Sequence, residues 1–123
     1  MSERHHAFGK AGEEVAVQFL RQQGYQILDR NYRCRFGEID LIARDGSTLA
    51  FIEVKTRRSQ RFGPAAAAVT LEKQRHLVKA SQVYLIQKRK ADELCRFDVV
   101  TIELDTQKPR IELIKDAFQP TSD

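Results

Sequence analysis

The chain has 123 residues, enough to bury one core and too few for two ordinary domains, so a single domain over 1–123 is expected. With 41% hydrophobic and 31% charged residues and no apolar run near the roughly 18 needed to span a bilayer, the composition predicts a soluble globular protein and excludes a helical membrane protein. The net charge of +4 favours an anionic partner, no apolar segment in Met1–Lys10 suggests a signal peptide, and the isolated Cys34 and Cys95 predict free thiols in a reducing cytoplasm.

From Phe8 to Gln23 the apolar positions Val15, Ala16, Phe19 and Leu20 recur at helical spacing, and Gly24 marks the end. The preceding His5-His6 reads as a frayed polar terminus, and with His76 it completes no zinc spacing. Tyr25 to Tyr32 reads as a short strand. Glu38 to Ala43 and Thr48 to Thr56 alternate around Arg44-Asp45-Gly46-Ser47, where Asp-Gly is a strong hairpin signal. Arg57 to Pro64 reads as a loop, and Ala65 to Ala68 as the start of helical turns. Thr70 is the expected N-cap of a helix burying Leu71, Leu77, Val78, Ser81, Tyr84 and Leu85 and ending in Lys88-Arg89-Lys90. Strands over Arg96 to Glu103 and Arg110 to Lys115, joined by a turn near Asp105 to Pro109, complete an αβββαββ order. The fold class is therefore α/β, without internal repeats.

Within this order, Gly37-Glu38-Ile39-Asp40-Leu41-Ile42 and Phe51-Ile52-Glu53-Val54-Lys55-Thr56 place acids and a lysine in strands that should be apolar. Burying such groups is costly unless they are paired, bind a metal or do chemistry. A two-residue Asp45-Gly46 loop would set Asp40 opposite Phe51 and put Asp40, Glu53 and Lys55 on one face, with the two acids diagonal to each other. Two carboxylates within about 4 Å repel by roughly 4 kcal/mol at an effective dielectric of 20, a conflict that a divalent cation removes. Carboxylate oxygens with water suit Mg²⁺ or Mn²⁺, and the Val54 carbonyl is a further candidate ligand. Lys55 would orient the nucleophilic water or stabilise an anionic transition state. On the first helix Glu13 lies at the edge of the apolar stripe, able to look into a cleft, whereas Glu14 points away from it. Glu38 either joins the ligands or caps its strand. The alternative for the whole set is surface salt bridges on an exposed sheet face.

Charge is unevenly distributed. Val54 to Lys90 carries ten Lys or Arg against one acid, Glu72, whereas Ala91 to Asp123 carries eight acids against four bases. The cluster Arg57, Arg58 and Arg61 directly after the acid-and-lysine strand points to a nucleic-acid backbone, the alternative being a solvated face.

Gly12-Glu13 with Ala16, Leu20 and Gly24, Asn31-Tyr32-Arg33-Cys34-Arg35, the two acidic strand segments, Phe62-Gly63, Lys73, Arg96-Phe97-Asp98-Val99-Val100 and Asp116-Ala117-Phe118 together resemble the bacterial YraN family. That family is similar to the PD-(D/E)XK, restriction-endonuclease-like superfamily, particularly archaeal Holliday-junction resolvases. The resemblance implies an αβββαβ core with a mixed sheet flanked by helices, here extended by a C-terminal strand. It also implies catalytic roles for Glu13, Asp40, Glu53 and Lys55, with Ile39 standing where the superfamily name has proline.

The implied activity is Mg²⁺-dependent hydrolysis of DNA phosphodiesters, on branched or junction DNA. Arg33, Arg35, Arg57, Arg58, Arg61, Lys73 and Arg75 are the candidate phosphate contacts, reading shape and not bases. Resolvases cut two strands and so imply a homodimer. A non-catalytic nucleic-acid-binding module, or a structural partner in a repair or replication assembly, is the alternative, followed by a protein-interaction scaffold.

Overall fold

A computed structural model describes residues 3–57, 69–104 and 108–120. Its elements are α1 (Glu3–Gln22), β1 (Gln26–Cys34), β2 (Gly37–Asp45), β3 (Thr48–Arg57), α2 (Leu71–Gln87), β4 (Leu94–Glu103) and β5 (Arg110–Phe118). This is the expected αβββαββ order. The strands form one sheet in sequence order, with β3 and β4 parallel and every other neighbouring pair antiparallel. A mixed five-stranded sheet between two helices is consistent with a restriction-endonuclease-like core. Arg58, Arg61, the Phe62-Gly63 pair, the Ala65 to Ala68 turns and part of the expected turn at Asp105 lie outside the described residues.

Strand alternation sorts the apolar residues into two cores. Leu41, Ala43, Ala50, Ile52, Val100 and Ile102 pack with Ala16, Val17 and Leu20 of α1. Ile42, Leu49, Phe51, Phe97 and Val99 pack with Leu77, Ala80 and Tyr84 of α2. Each helix therefore covers one face, and the near-continuous apolar runs of β3 and β4 follow from burial on both sides.

Three local expectations need correction. Helix α1 starts at Glu3, not Phe8, because no proline or glycine interrupts residues 3–8, and His5-His6 therefore lies in its first turn. Its buried stripe includes Val17, while Val15 and Phe19 are only partly buried. In α2, Thr70 is the N-cap as expected, its Oγ1 accepting from the Lys73 N–H at 3.2 Å, but Leu71 is 51% exposed and Ala80 takes a place in the core.

The third correction is the hairpin register. The β2–β3 loop is Gly46-Ser47, with Asp45 still paired to Thr48, because Gly46 adopts φ 62°, the positive φ that a type II′ turn requires at its first loop position. Every β2 residue thus lies two positions farther along β3 than an Asp45-Gly46 loop would place it. An even shift preserves the faces, so the shared side of Asp40, Glu53 and Lys55 survives while their spacing changes.

Candidate metal and nucleic-acid site

The β2–β3 ladder runs from Asp45↔Thr48 to Leu41↔Ile52 and would next set Asp40 directly opposite Glu53. Main-chain pairing stops there, and the Asp40 side chain takes over: its Oδ2 accepts the Val54 N–H at 2.8 Å. The two acids are consequently adjacent and not diagonal. On the other flank of β2, pairing passes from Arg30↔Leu41 to Tyr32↔Ile39, leaving Asn31 at the position opposite Asp40. Asn31 has φ 55°, a left-handed conformation that asparagine tolerates better than most residues. Tyr32 and Ile39, which simple alternation would send towards α1, pack instead with the α2-side core. The strand pair changes face at Asn31 and Asp40, which turns the acidic end of β2 out of the regular sheet.

Glu53 is only 2% exposed, and its Oε2 is buried without a hydrogen bond. Two ammonium groups approach that oxygen as ion-pair contacts: Lys73 Nζ at 3.2 Å from the first turn of α2, and Lys55 Nζ at 3.9 Å from the same strand. Burial, followed by the hydrogen bond and the charge of Glu53, pushes the Asp40 carboxyl up to about 8. The Val54 N–H and the charge of Lys73 act in the opposite direction. The pair therefore tends to hold a shared proton when no other cation is present.

Helix α1 reaches this region through a close approach. A Cβ at Gly12 would lie 2.0 Å from Thr56 Oγ1, so only glycine lets the helix sit against the end of β3. The adjoining Glu13 is 15% exposed against 54% for Glu14, in keeping with the helix phase. Glu13 Oε1 accepts from Asn31 Nδ2 at 2.9 Å and lies 3.6 Å from Arg30 Nε. It is thus tied to the residue whose register position faces Asp40, while Asp40 and Glu53 form the acid pair itself. Glu38 pairs with Arg33 at 3.2 Å. Val54 engages the site through its N–H.

The ligand chemistry fits a hard divalent cation. Among the described residues no group of three or more His, Cys, Asp or Glu converges, which disfavours an all-protein zinc or calcium cage. Mg²⁺ is commonly held by one or two carboxylates with several waters, and Asp40 with the orphaned Glu53 oxygen supplies that set.

The basic candidates do not all gather here. Arg57 follows Lys55 by two residues and so shares its face, beside a cleft lined by Thr101, Glu103, Arg110 and Glu112. Arg35, in the β1–β2 turn, stacks over the Phe36 ring at 4.7 Å, with Lys79 Nζ 5.6 Å from that ring. Arg75 lines a groove along α2 with Gln74, Val78 and Gln119. Lys73 points at Glu53, a pairing that no short spacing could reveal across a separation of twenty positions.

A second buried acid went without a role in the sequence reading. Asp98 is completely buried and is held by Tyr25, Arg96 and the Asp116 N–H. Its signal was the same as that of Asp40: an acid inside an apolar strand.

A family model described as "Uncharacterised protein family UPF0102" matches residues 12–102. A UPF0102 protein of Syntrophus aciditrophicus is 53% identical over 111 residues, covering 90% of this chain and 87% of the relative. One from Geobacter metallireducens is 48% identical over 119 residues, covering 97% and 98% respectively, and one from Caldicellulosiruptor saccharolyticus is 49% identical over 113 residues, covering 89% and 95%.

Proposed function

The chain belongs to the UPF0102 family, and from that premise we propose that it is a Mg²⁺- or Mn²⁺-dependent nuclease hydrolysing DNA phosphodiester bonds, branched DNA included. The observation that carries this reading is the convergence of Asp40 and Glu53 with an oxygen of Glu53 left buried and unbonded. A purely structural acid would be expected to have its oxygens satisfied by N–H or O–H donors.

When bound, the cation would lower the pKa of a water and neutralise charge building on the phosphate. Asp40 and Glu53 would hold it, with Asp40 fixed by the Val54 N–H. Lys55, 38% exposed on the same face, supplies a positive charge to the attacked phosphate. Hydrolysis joins the water oxygen to phosphorus while the bond to the leaving oxygen breaks, and that oxygen departs with a proton. Glu13 positions β1 through Asn31 and Arg30. Arg33, Arg35, Arg57 and Arg75, with Arg58 and Arg61, supply backbone contacts that read shape. A two-strand cut calls for a homodimer. Free Cys34 and Cys95 fit a reducing cytoplasm, and no helix among the described residues is long and apolar enough to cross a membrane.

Purified protein should cut a four-way junction or linear duplex with Mg²⁺ or Mn²⁺, and Asp40→Asn or Lys55→Ala should abolish cutting while binding persists. A non-catalytic DNA-binding module is favoured by one observation: two lysine ammonium groups already stand beside Glu53 as counter-charges. Salt-sensitive binding with no cleavage of any substrate in either metal would select that second reading.

A further inference from the structure

Lys73 stands nearer to Glu53 than the lysine of the E-x-K segment does, 3.2 Å against 3.9 Å to the same Oε2. That oxygen is buried and accepts no hydrogen bond, so the ammonium holds it by charge and not by an aligned donor. The root of Lys73 is fixed, because its backbone N–H is capped by Thr70 Oγ1 at the start of α2. Its side chain is nevertheless 42% exposed. A lysine anchored at the backbone with a solvent-accessible stem can swing its charge outward without moving the helix.

We propose that Lys73 is the resident counter-cation of the Asp40 and Glu53 pair in the metal-free protein, that it yields Glu53 to a divalent cation, and that its freed ammonium then binds the substrate phosphate. The proposal rests on the metal-dependent reading above. Lys55 and Lys73 set two positive charges against the Asp40 and Glu53 pair, which carries two negative charges at most. A divalent cation entering that set leaves a positive excess and a direct repulsion between it and the nearest ammonium. Lys55 shares the strand of Glu53, two residues away, whereas Lys73 comes from a separate element and can withdraw alone. The anionic phosphate offsets part of that excess, so metal and DNA binding should reinforce each other.

Mn²⁺ binding, followed by the electron paramagnetic resonance signal of the free ion, tests the exchange in the wild type, Lys73→Gln and Lys55→Gln. Lys73→Gln should bind Mn²⁺ on the order of tenfold more tightly, and Lys55→Gln should gain less. Unchanged or weaker binding in Lys73→Gln, with a wild type that binds, overturns the exchange and leaves the metal site standing. Absence of Mn²⁺ binding in all three overturns both. Duplex DNA should tighten Mn²⁺ binding to the wild type, with a smaller gain in Lys73→Gln; an equal gain overturns the phosphate step. On the unaltered chain, acetylation of Lys73 relative to Lys55, read by mass spectrometry, should rise several-fold on adding Mg²⁺. No rise, or protection, overturns the release.

Discussion

Strands β3 and β4 pair Ile52 with Asp98 and Glu53 with Val99, so two buried acids lie one step apart along the sheet but on opposite faces. On the α1 side, Asp98 accepts from Arg96 Nε at 2.8 Å, Arg96 Nη2 at 2.9 Å, the Tyr25 hydroxyl at 3.0 Å and the Asp116 N–H at 2.9 Å. Arg96 also reaches Asp45 at 2.8 Å, and Lys115 Nζ lies 3.2 Å from the same carboxylate. Arg96 and Lys115 hold Asp45 below its ordinary pKa, and burial with the charge of Asp98 pushes the Tyr25 hydroxyl up. On the α2 side, Asp40 faces another acid, Glu53 keeps an unbonded oxygen, and the nearest cations have partly exposed stems. Equal burial thus has opposite meanings. A closed donor network marks a group that holds the fold together, whereas an acid facing an acid, with an oxygen that no donor satisfies, is where the proposed cation would bind.

Breaking the first network should have the largest effect. Asp98→Ala removes four hydrogen bonds at once, leaving Arg96 Nε, the buried Tyr25 hydroxyl and the Asp116 N–H without their acceptor although Arg96 keeps Asp45, and should lower unfolding free energy by about 3–5 kcal/mol in a denaturant titration. Tyr25→Phe removes one hydroxyl from the same network and should cost about 1–2 kcal/mol by the same measurement. A cost below that for Asp98→Ala would erase the contrast between the two faces.

The second region should respond with the other sign. Asp40 rises from 3.8 to about 8 on folding, so between those values the folded protein retains a proton that the unfolded chain has lost. Stability of the metal-free protein should therefore fall as pH rises through that window, with the loss complete above about 8. Melting temperatures at pH 5 and pH 8.5 check this, and Asp40→Asn should flatten the slope. The smallest change belongs to Asp40→Asn itself at pH 8. Its amide oxygen can still accept the Val54 N–H, so metal-free stability should stay within about 1 kcal/mol of wild type or rise. A large loss in that variant would make Asp40 a structural acid like Asp98.

How much of this was legible in the sequence varies with the range of the interaction. Hydrophobic periodicity sufficed for the element order, and period-two alternation for the shared face of Asp40, Glu53 and Lys55. The turn was harder, since Asp45-Gly46 and Gly46-Ser47 are both acceptable loops and only the sign of φ at Gly46 distinguishes them. Helix phase separated Glu13 from Glu14, but its partners Arg30 and Asn31 depend on where the helix docks.

The αβββαββ order, the family and the three residues of the acid-and-lysine face were readable along the chain, because all of these rest on local spacing or on the match of residues in order. Tertiary structure alone decided that Asp40 abuts Glu53, that Lys73 supplies the nearest charge and that Asp98 is sealed in a donor network. The physical reason is distance along the chain. Electrostatics depends on separation in space, and α2 lies 20 residues of sequence from Glu53 to Lys73 yet brings their charged atoms to 3.2 Å.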